Sequence, residues 1–74
     1  MTAIDLMEHV RALREEQGLT QGEVARRLDV TQGSVSQAER DPSTRLNELR
    51  LRIVELLTGR KVTGPFWAYE DELQ

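Results

Sequence analysis

The sequence predicts an all-α fold, a compact bundle of four to five short helices, two of which are joined by a sharp turn near the middle of the chain. Apolar residues recur three and four positions apart along most of the chain, which is the spacing of one helix face. Helix-capping residues separate these stretches, and no strand-like alternation, repeat or low-complexity segment occurs. With 74 residues the chain can bury one core only. We expect a domain over residues 1–61 and an acidic, aromatic tail over residues 62–74.

The first element is predicted to be a helix over about residues 3–17. Leu6, Val10, Leu13 and Gln17 recur in it at the spacing of one helix face. Gly18 is the kind of residue at which such a helix ends, because it adopts a left-handed conformation at little cost.

Two short helices are predicted next, at about residues 20–28 and 31–39. Thr20 followed by Glu23 forms a capping box for the first of them, and Thr31 can cap the second. Asp29 lies in the turn, where a left-handed residue is needed and aspartate is tolerated. The residues expected to pack inside this elbow are small or apolar: Val24, Ala25, Leu28, Val30 and Val35.

A fourth helix is predicted after the turn Asp41-Pro42-Ser43, since the residue before a proline avoids helical angles. Its inner stripe is expected to consist of Leu46, Leu49, Ile53 and Leu56, and Gly59 ends it. Leu51 and Val54 lie off this stripe. We therefore expect them to be exposed and to contribute to a subunit contact.

The tail contains all three aromatic residues of the chain, Phe66, Trp67 and Tyr69. Gly64 and Pro65 precede them, and a proline is tolerated in the first turn of a helix, so a short fifth helix is one expectation. Two further interpretations stay open and are compatible with each other. The aromatic side chains cover the groove between the first and fourth helices, or they contact a second copy of the chain.

Composition argues against several classes of protein. The absence of cysteine excludes disulfides and thiolate metal sites, and one histidine without a catalytic constellation or a glycine-rich phosphate loop argues against an enzyme. We expect no cofactor and no metal. No apolar run approaches the ~20 residues of a membrane span, and the acidic start does not resemble a signal peptide. The expected location is the cytoplasm.

Charge is distributed unevenly along the chain, whose net charge is −3. Residues 1–61 hold all 10 basic residues and an equal number of acidic ones, so the excess comes from the tail acids Glu70, Asp71 and Glu72. A basic footprint typical of nucleic-acid binders is missing. Three arginines nevertheless follow the third helix, where a phosphate backbone would be met: Arg40, Arg45 and Arg50.

The third helix has an outer face without charge between Val30 and Glu39. The side chains expected on it are those of Thr31, Gln32, Ser36 and Gln37, with Gly33 between them. Amide and hydroxyl groups of this kind hydrogen-bond to base edges in the major groove, whereas an unpartnered surface normally carries lysine or glutamate.

Residues 21–40, QGEVARRLDVTQGSVSQAER, resemble the helix-turn-helix of the phage-repressor/Cro family of bacterial DNA-binding domains, and the resemblance extends over about residues 6–58. It implies that Gln32, Ser36 and Gln37 read bases. It does not extend to Gly33, where the family usually has a side chain. We expect Gly33 to allow the backbone to approach DNA closely.

The resemblance also implies a set of structural and phosphate contacts. Arg14 and Glu39 are expected to form a partly buried ion pair, and Gln21 is expected to support Gln32. The predicted phosphate contacts are Gln21, Arg40, Ser43, Thr44 and Arg45, and Arg26 and Arg27 are the next candidates.

These observations predict a transcriptional regulator of bacterial or phage origin, acting as a repressor at the nucleoid. We expect it to bind double-stranded DNA as a homodimer on a palindromic operator, because one short helix reads too few base pairs for useful specificity. One alternative is an antitoxin that represses its own operon, which the segment STRLNELRLRIVELLTG resembles. Another is a protein-binding module without DNA function, whose partner is a toxin or other regulator, and which the acidic balance favours.

Overall fold

The computed structural model describes residues 1–64 and 67–72. Four α-helices form the domain, and a short antiparallel hairpin follows them. The helices are α1 (Ala3–Glu16), α2 (Gln21–Leu28), α3 (Gln32–Arg40) and α4 (Asn47–Thr58), and a 3₁₀ turn at Thr44–Leu46 precedes α4. The predicted all-α bundle with a central pair of helices is confirmed; α1, α2 and α3 begin and end within one residue of their predicted bounds, and α4 ends directly before Gly59, as expected.

Side-chain caps fix where the helices begin. The Thr20 hydroxyl accepts from the backbone N–H of Glu23 (3.0 Å), and the Glu23 carboxylate accepts from the N–H of Thr20 (3.1 Å), as the capping box predicts. Thr31 caps α3 as expected. A second capping box, which the sequence analysis missed, joins Thr2 and Asp5 at the start of α1.

Left-handed residues end three of the helices and let the chain turn: Gly18 after α1, Asp29 after α2 and Gly59 after α4. Gly18 has φ +69° after α1, and Asp29 ends α2 with φ 56° and ψ 46°. The expectation for the turn between α2 and α3 is therefore confirmed. An aspartate takes the left-handed conformation there, at the modest cost that its short polar side chain allows.

The core lies between all four helices. Its buried apolar residues are Leu6, Val10, Val24, Ala25, Val35, Ala38, Ile53, Val54 and Leu57. The predicted inner stripe of α4 was wrong in part, since Leu56 is 37% exposed and Leu49 only partly buried. Val54 and Leu57 take the inner positions, because α1, α2 and α3 all pack on α4 and enclose a broader face of it than one stripe.

The tail forms a hairpin where a fifth helix had been one expectation. Strands β1 (Val62–Thr63) and β2 (Ala68–Tyr69) pair antiparallel, with Val62 opposite Tyr69, and a 3₁₀ turn at Glu70–Glu72 follows. β-Branched and aromatic residues at these positions favour strands. Gly64 fits the turn, because a Cβ there would lie 3.3 Å from the Trp67 ring.

The hairpin packs on its own domain. Val62 and Tyr69 lie against the core cluster, and the Tyr69 hydroxyl hydrogen-bonds His9 Nε2 on α1. The Arg60 guanidinium lies over the tyrosine ring, 3.9 Å from its centre, and pairs with Asp71 at 2.8 Å. Phe66, predicted as an aromatic contact, lies outside the described residues. None of the described helices is long and apolar enough to span a lipid bilayer.

Candidate nucleic-acid interface

The outer face of α3 is polar, uncharged and open to solvent. Gln32, Gly33 and Gln37 are exposed, and Ser36 is half-buried. Three residues of the opposite face are buried: Val35, Ala38 and Glu39. The structure therefore places the predicted base-reading side chains on one accessible surface of one helix.

Thr31 differs from its neighbours, because its hydroxyl is engaged within the protein. It accepts from the N–H of Ser34 (3.1 Å) and hydrogen-bonds the Ser34 hydroxyl (2.8 Å). These bonds satisfy groups at the start of α3 that the helix itself leaves unpaired. The first role of Thr31 is thus to fix the end of the helix from which Gln32 projects.

Gly33 has open space where a side chain would stand. An added Cβ would meet only the Thr31 hydroxyl oxygen, at 3.9 Å, which is ordinary van der Waals contact. Packing within the protein therefore gives no reason for a glycine at this helical position. On α2, an added Cβ at Gly22 would lie 4.0 Å from the Gln32 side-chain oxygen, so the Gln32 amide group lies beside the start of α2.

An ion pair anchors α3 to α1, as the family resemblance implies. Arg14 donates through Nε to Glu39 Oε2 at 2.6 Å and through Nη2 to Oε1 at 3.0 Å. Its Nη1 donates to the carbonyl of Leu19 (2.7 Å). The hydrogen bond with Glu39 raises the pKa of Arg14, and the two side chains are only 14% and 4% exposed. The predicted pairing is confirmed.

Gln21 joins the same pair, which changes its expected role. Its amide nitrogen donates to Glu39 Oε1 at 3.1 Å. Among the hydrogen bonds of the described residues, none links Gln21 to Gln32, so the expected direct support of Gln32 is absent there. Gln21 instead ties the start of α2 to the buried face of α3.

The residues predicted to contact phosphate form two groups. Gln21 and Arg40 line one surface depression of about 220 Å³, together with Ser36 of the predicted base-reading set. After α3, Thr44 and Arg45 are exposed and Ser43 is half-buried. Both groups therefore have side chains that are accessible to phosphate groups.

Internal hydrogen bonds shape the loop after α3. The Asp41 carboxylate accepts from the N–H of Ser43 (2.9 Å) and pairs with Arg45 at 3.3 Å. The Arg45 side chain is 62% exposed, and so exposed a pair contributes little to stability. Arg45 therefore remains available to a phosphate.

Arg50 was grouped with the arginines expected near phosphates, and this prediction was wrong. Its side chain is fully buried. It donates to backbone carbonyls of α3 and of the following loop, and to Asn47 Oδ1 at 2.9 Å. Helical spacing places Arg50 on the inner face of α4, three residues before Ile53, which the grouping with Arg45 did not take into account.

The residues predicted to form a dimer contact differ in how far they are buried. Val54 is fully buried in the core of its own protomer, so the prediction that it is exposed was wrong. Leu51 is half-buried against that core, and Trp67 and Tyr69 are half-buried in the hairpin. The side chains with large exposed apolar surface are those of Ile4 (52%) and Leu56 (37%), counted over the described residues.

The four-helix arrangement and the polar face of α3 define a helix-turn-helix domain. A helix-turn-helix family model of the Cro/C1 type matches residues 10–63, more than half of the chain. The chain therefore belongs to this family, which is a DNA-binding family rather than a family of enzymes. Comparison with curated proteins and with solved structures found no significant match.

Proposed function

We propose that this protein is a sequence-specific transcriptional repressor of bacterial or phage origin that reads the major groove with α3 and acts at the nucleoid. The observation that carries the proposal is the exposed, uncharged face of α3, whose buried side is fixed by the ion pair of Arg14 with Glu39. Side-chain amides such as that of Gln32 can bond adenine through two atoms. A helix fixed in this way presents those amides in a constant orientation.

We further propose that two copies bind a palindromic operator. One α3 offers about three side chains to base edges, which is too few for specificity against a genome. We expect the apolar surface of such a dimer to include Leu51 and Leu56 of α4 and the aromatic tail around Trp67. Val54 has no part in it. A repressor would then act by occupying a promoter.

The experiment is selection of binding sites from a pool of random DNA duplexes, followed by affinity measurements at several stated salt concentrations. We expect recovery of a two-fold symmetric sequence, and affinity that falls steeply with salt. Failure to enrich any sequence, with salt-insensitive capture of a protein partner instead, would favour the protein-binding module.

Changing Gln32 to alanine tests whether α3 reads the bases. We expect a loss of about 1–3 kcal/mol on the selected site and little change on random duplex, because only the base contact is removed. Circular dichroism of the variant checks that the helices are intact. An equal loss on both DNAs would show that Gln32 positions the domain and does not read sequence.

A further inference from the structure

Arg50 is a buried cation whose hydrogen-bond acceptors, among the described residues, are all uncharged. Its Nε donates to the carbonyl of Ala38 (2.8 Å), Nη1 to the carbonyl of Ser43 (2.8 Å) and to Asn47 Oδ1 (2.9 Å), and Nη2 to the carbonyl of Asp41. Burial lowers the pKa of Arg50, yet a guanidinium stays protonated in proteins. The charge is thus held mainly by backbone dipoles.

These carbonyls belong to the segment that links the two predicted DNA-contacting parts. Ala38 lies in the last turn of α3, Asp41 is its C-cap, and Ser43 precedes the 3₁₀ turn. Carbonyls at a helix end lack partners within the helix, and this end of the helix dipole attracts a cation. One guanidinium on α4 therefore joins the end of the recognition helix to the loop after it.

Stability alone is a poor account of this arrangement. Burying a charge carries a desolvation cost, and an apolar side chain of similar volume often stabilises a core as well or better. The planar guanidinium group of an arginine also fixes the directions of its hydrogen bonds, since its donors have fixed positions relative to one another. This group sets the distance and angle between α3 and the loop that carries Thr44 and Arg45.

We propose that Arg50 is a positioning residue for DNA binding, which from inside the protein holds the phosphate-contacting loop in register with the recognition helix. This inference rests on the proposed function. Base contacts from Gln32 and phosphate contacts from Arg45 form together only when the two parts have the correct separation. Loss of the guanidinium fork therefore removes loop contacts that Arg50 itself never makes.

The test compares Arg50→Lys with Leu57→Ala on the DNA site that the wild-type chain selects. Lysine keeps the charge, but its single nitrogen cannot span the carbonyls that the guanidinium joins. Leu57→Ala is the matched control, because it weakens the core at the other end of α4 and leaves those carbonyls untouched. Both proteins are measured at a temperature at which circular dichroism shows them folded.

We expect Arg50→Lys to lose on the order of tenfold in affinity and its slope of log affinity against log salt to flatten by about one unit, as expected for Arg45→Ala. Leu57→Ala should leave both the affinity and the slope of log affinity against log salt unchanged. The salt slope counts phosphate contacts, so a merely structural role would leave it unchanged. A folded Arg50→Lys protein with wild-type affinity and slope would overturn the inference.

A second variant decides the matter if Arg50→Lys does not fold. Asn47→Ala removes one acceptor and leaves the guanidinium in place. A lower affinity with a flatter slope supports the inference, and wild-type values for both overturn it. If the wild-type chain selects no DNA, the proposed function has failed, and the role of Arg50 in binding fails with it.

Discussion

Gly33 lies on the exposed face of α3 with open space around it, although glycine disfavours a helix. Gly33→Ala should therefore stabilise the domain by about 1 kcal/mol in thermal unfolding. If the α3 backbone approaches DNA at this point, the same change should weaken binding to the selected site, because the added methyl group would meet the bases. The two effects have opposite signs, which separates them from a general folding defect. Gain in stability with unchanged affinity would show that no close approach occurs there.

At the residue scale, the sequence identified polar surfaces better than it identified their contacts. The side chains predicted to read bases do share one exposed face, because helical spacing alone determines which residues share a face. Arg45 and Arg50 were not told apart, although one is exposed and the other fully buried. Helical spacing places Arg50 on the inner face of α4, three residues before Ile53, but the backbone carbonyls that allow a charge to be buried there are supplied by the tertiary fold.

The ion pair between Arg14 of α1 and Glu39 of α3 orients α3. Replacing its two residues one at a time should destabilise the domain to different degrees. Arg14→Ala leaves a nearly buried carboxylate that keeps Gln21 as its one hydrogen-bond partner among the described residues, whereas Glu39→Ala leaves an arginine that still bonds the Leu19 carbonyl. We expect Arg14→Ala to be the more destabilising change, at about 3 kcal/mol. A double-mutant cycle on urea unfolding should give a coupling energy of about 1–3 kcal/mol. Additive losses would contradict a direct interaction.

The capping box of α2 should make stability depend on pH in the acid range. A hydrogen bond from the Thr20 N–H lowers the pKa of Glu23 below its ordinary value of 4.5. The stabilisation is therefore fully present above that ordinary value and is lost as the pH falls through the lower folded-state value. Glu23→Gln keeps an acceptor but does not titrate. We expect its urea midpoint to lie below that of the wild type at about pH 6 and the difference to shrink towards about pH 3. Parallel curves would show that the charge contributes nothing.

Among the elements, those with strong local signals were predicted and the hairpin was not. Thr20, Thr31 and Gly18 mark helix ends by their own chemistry, so the bounds of α1 to α3 followed from short stretches of sequence. The strands have two residues each, which is too short for alternation to be visible. Their pairing depends on contacts with the core that sequence spacing does not show.

For the whole molecule, the hairpin adds cover to a small core. Truncation after Gly59 should lower stability, because it exposes the surface on which Val62 and Tyr69 pack, and burial of one aromatic side chain contributes about 1.5–3 kcal/mol. Thermal unfolding followed by circular dichroism measures this loss, and sedimentation measures the oligomeric state. Tyr69→Phe is the matched control, since it removes only the hydroxyl bonded to His9 and should cost about 1 kcal/mol.

The outcomes of this truncation separate two roles of the tail. A less stable monomer would show that the tail acts as a cover for its own domain. Dissociation of a dimer without loss of helix stability would assign it to assembly. A truncated chain with the stability and the oligomeric state of the full chain would show that the hairpin contributes to neither.

The positions of Trp67 and Tyr69 also determine which part of this protein each spectroscopic signal follows. The chain has one tryptophan and one tyrosine, and both lie in the hairpin, so its intrinsic fluorescence senses the tail while far-ultraviolet dichroism senses the helices. Melting curves from the two signals should coincide only if the hairpin and the bundle unfold together. Quenching of the tryptophan by DNA would place the tail beside the duplex, even though no residue of α3 carries a chromophore.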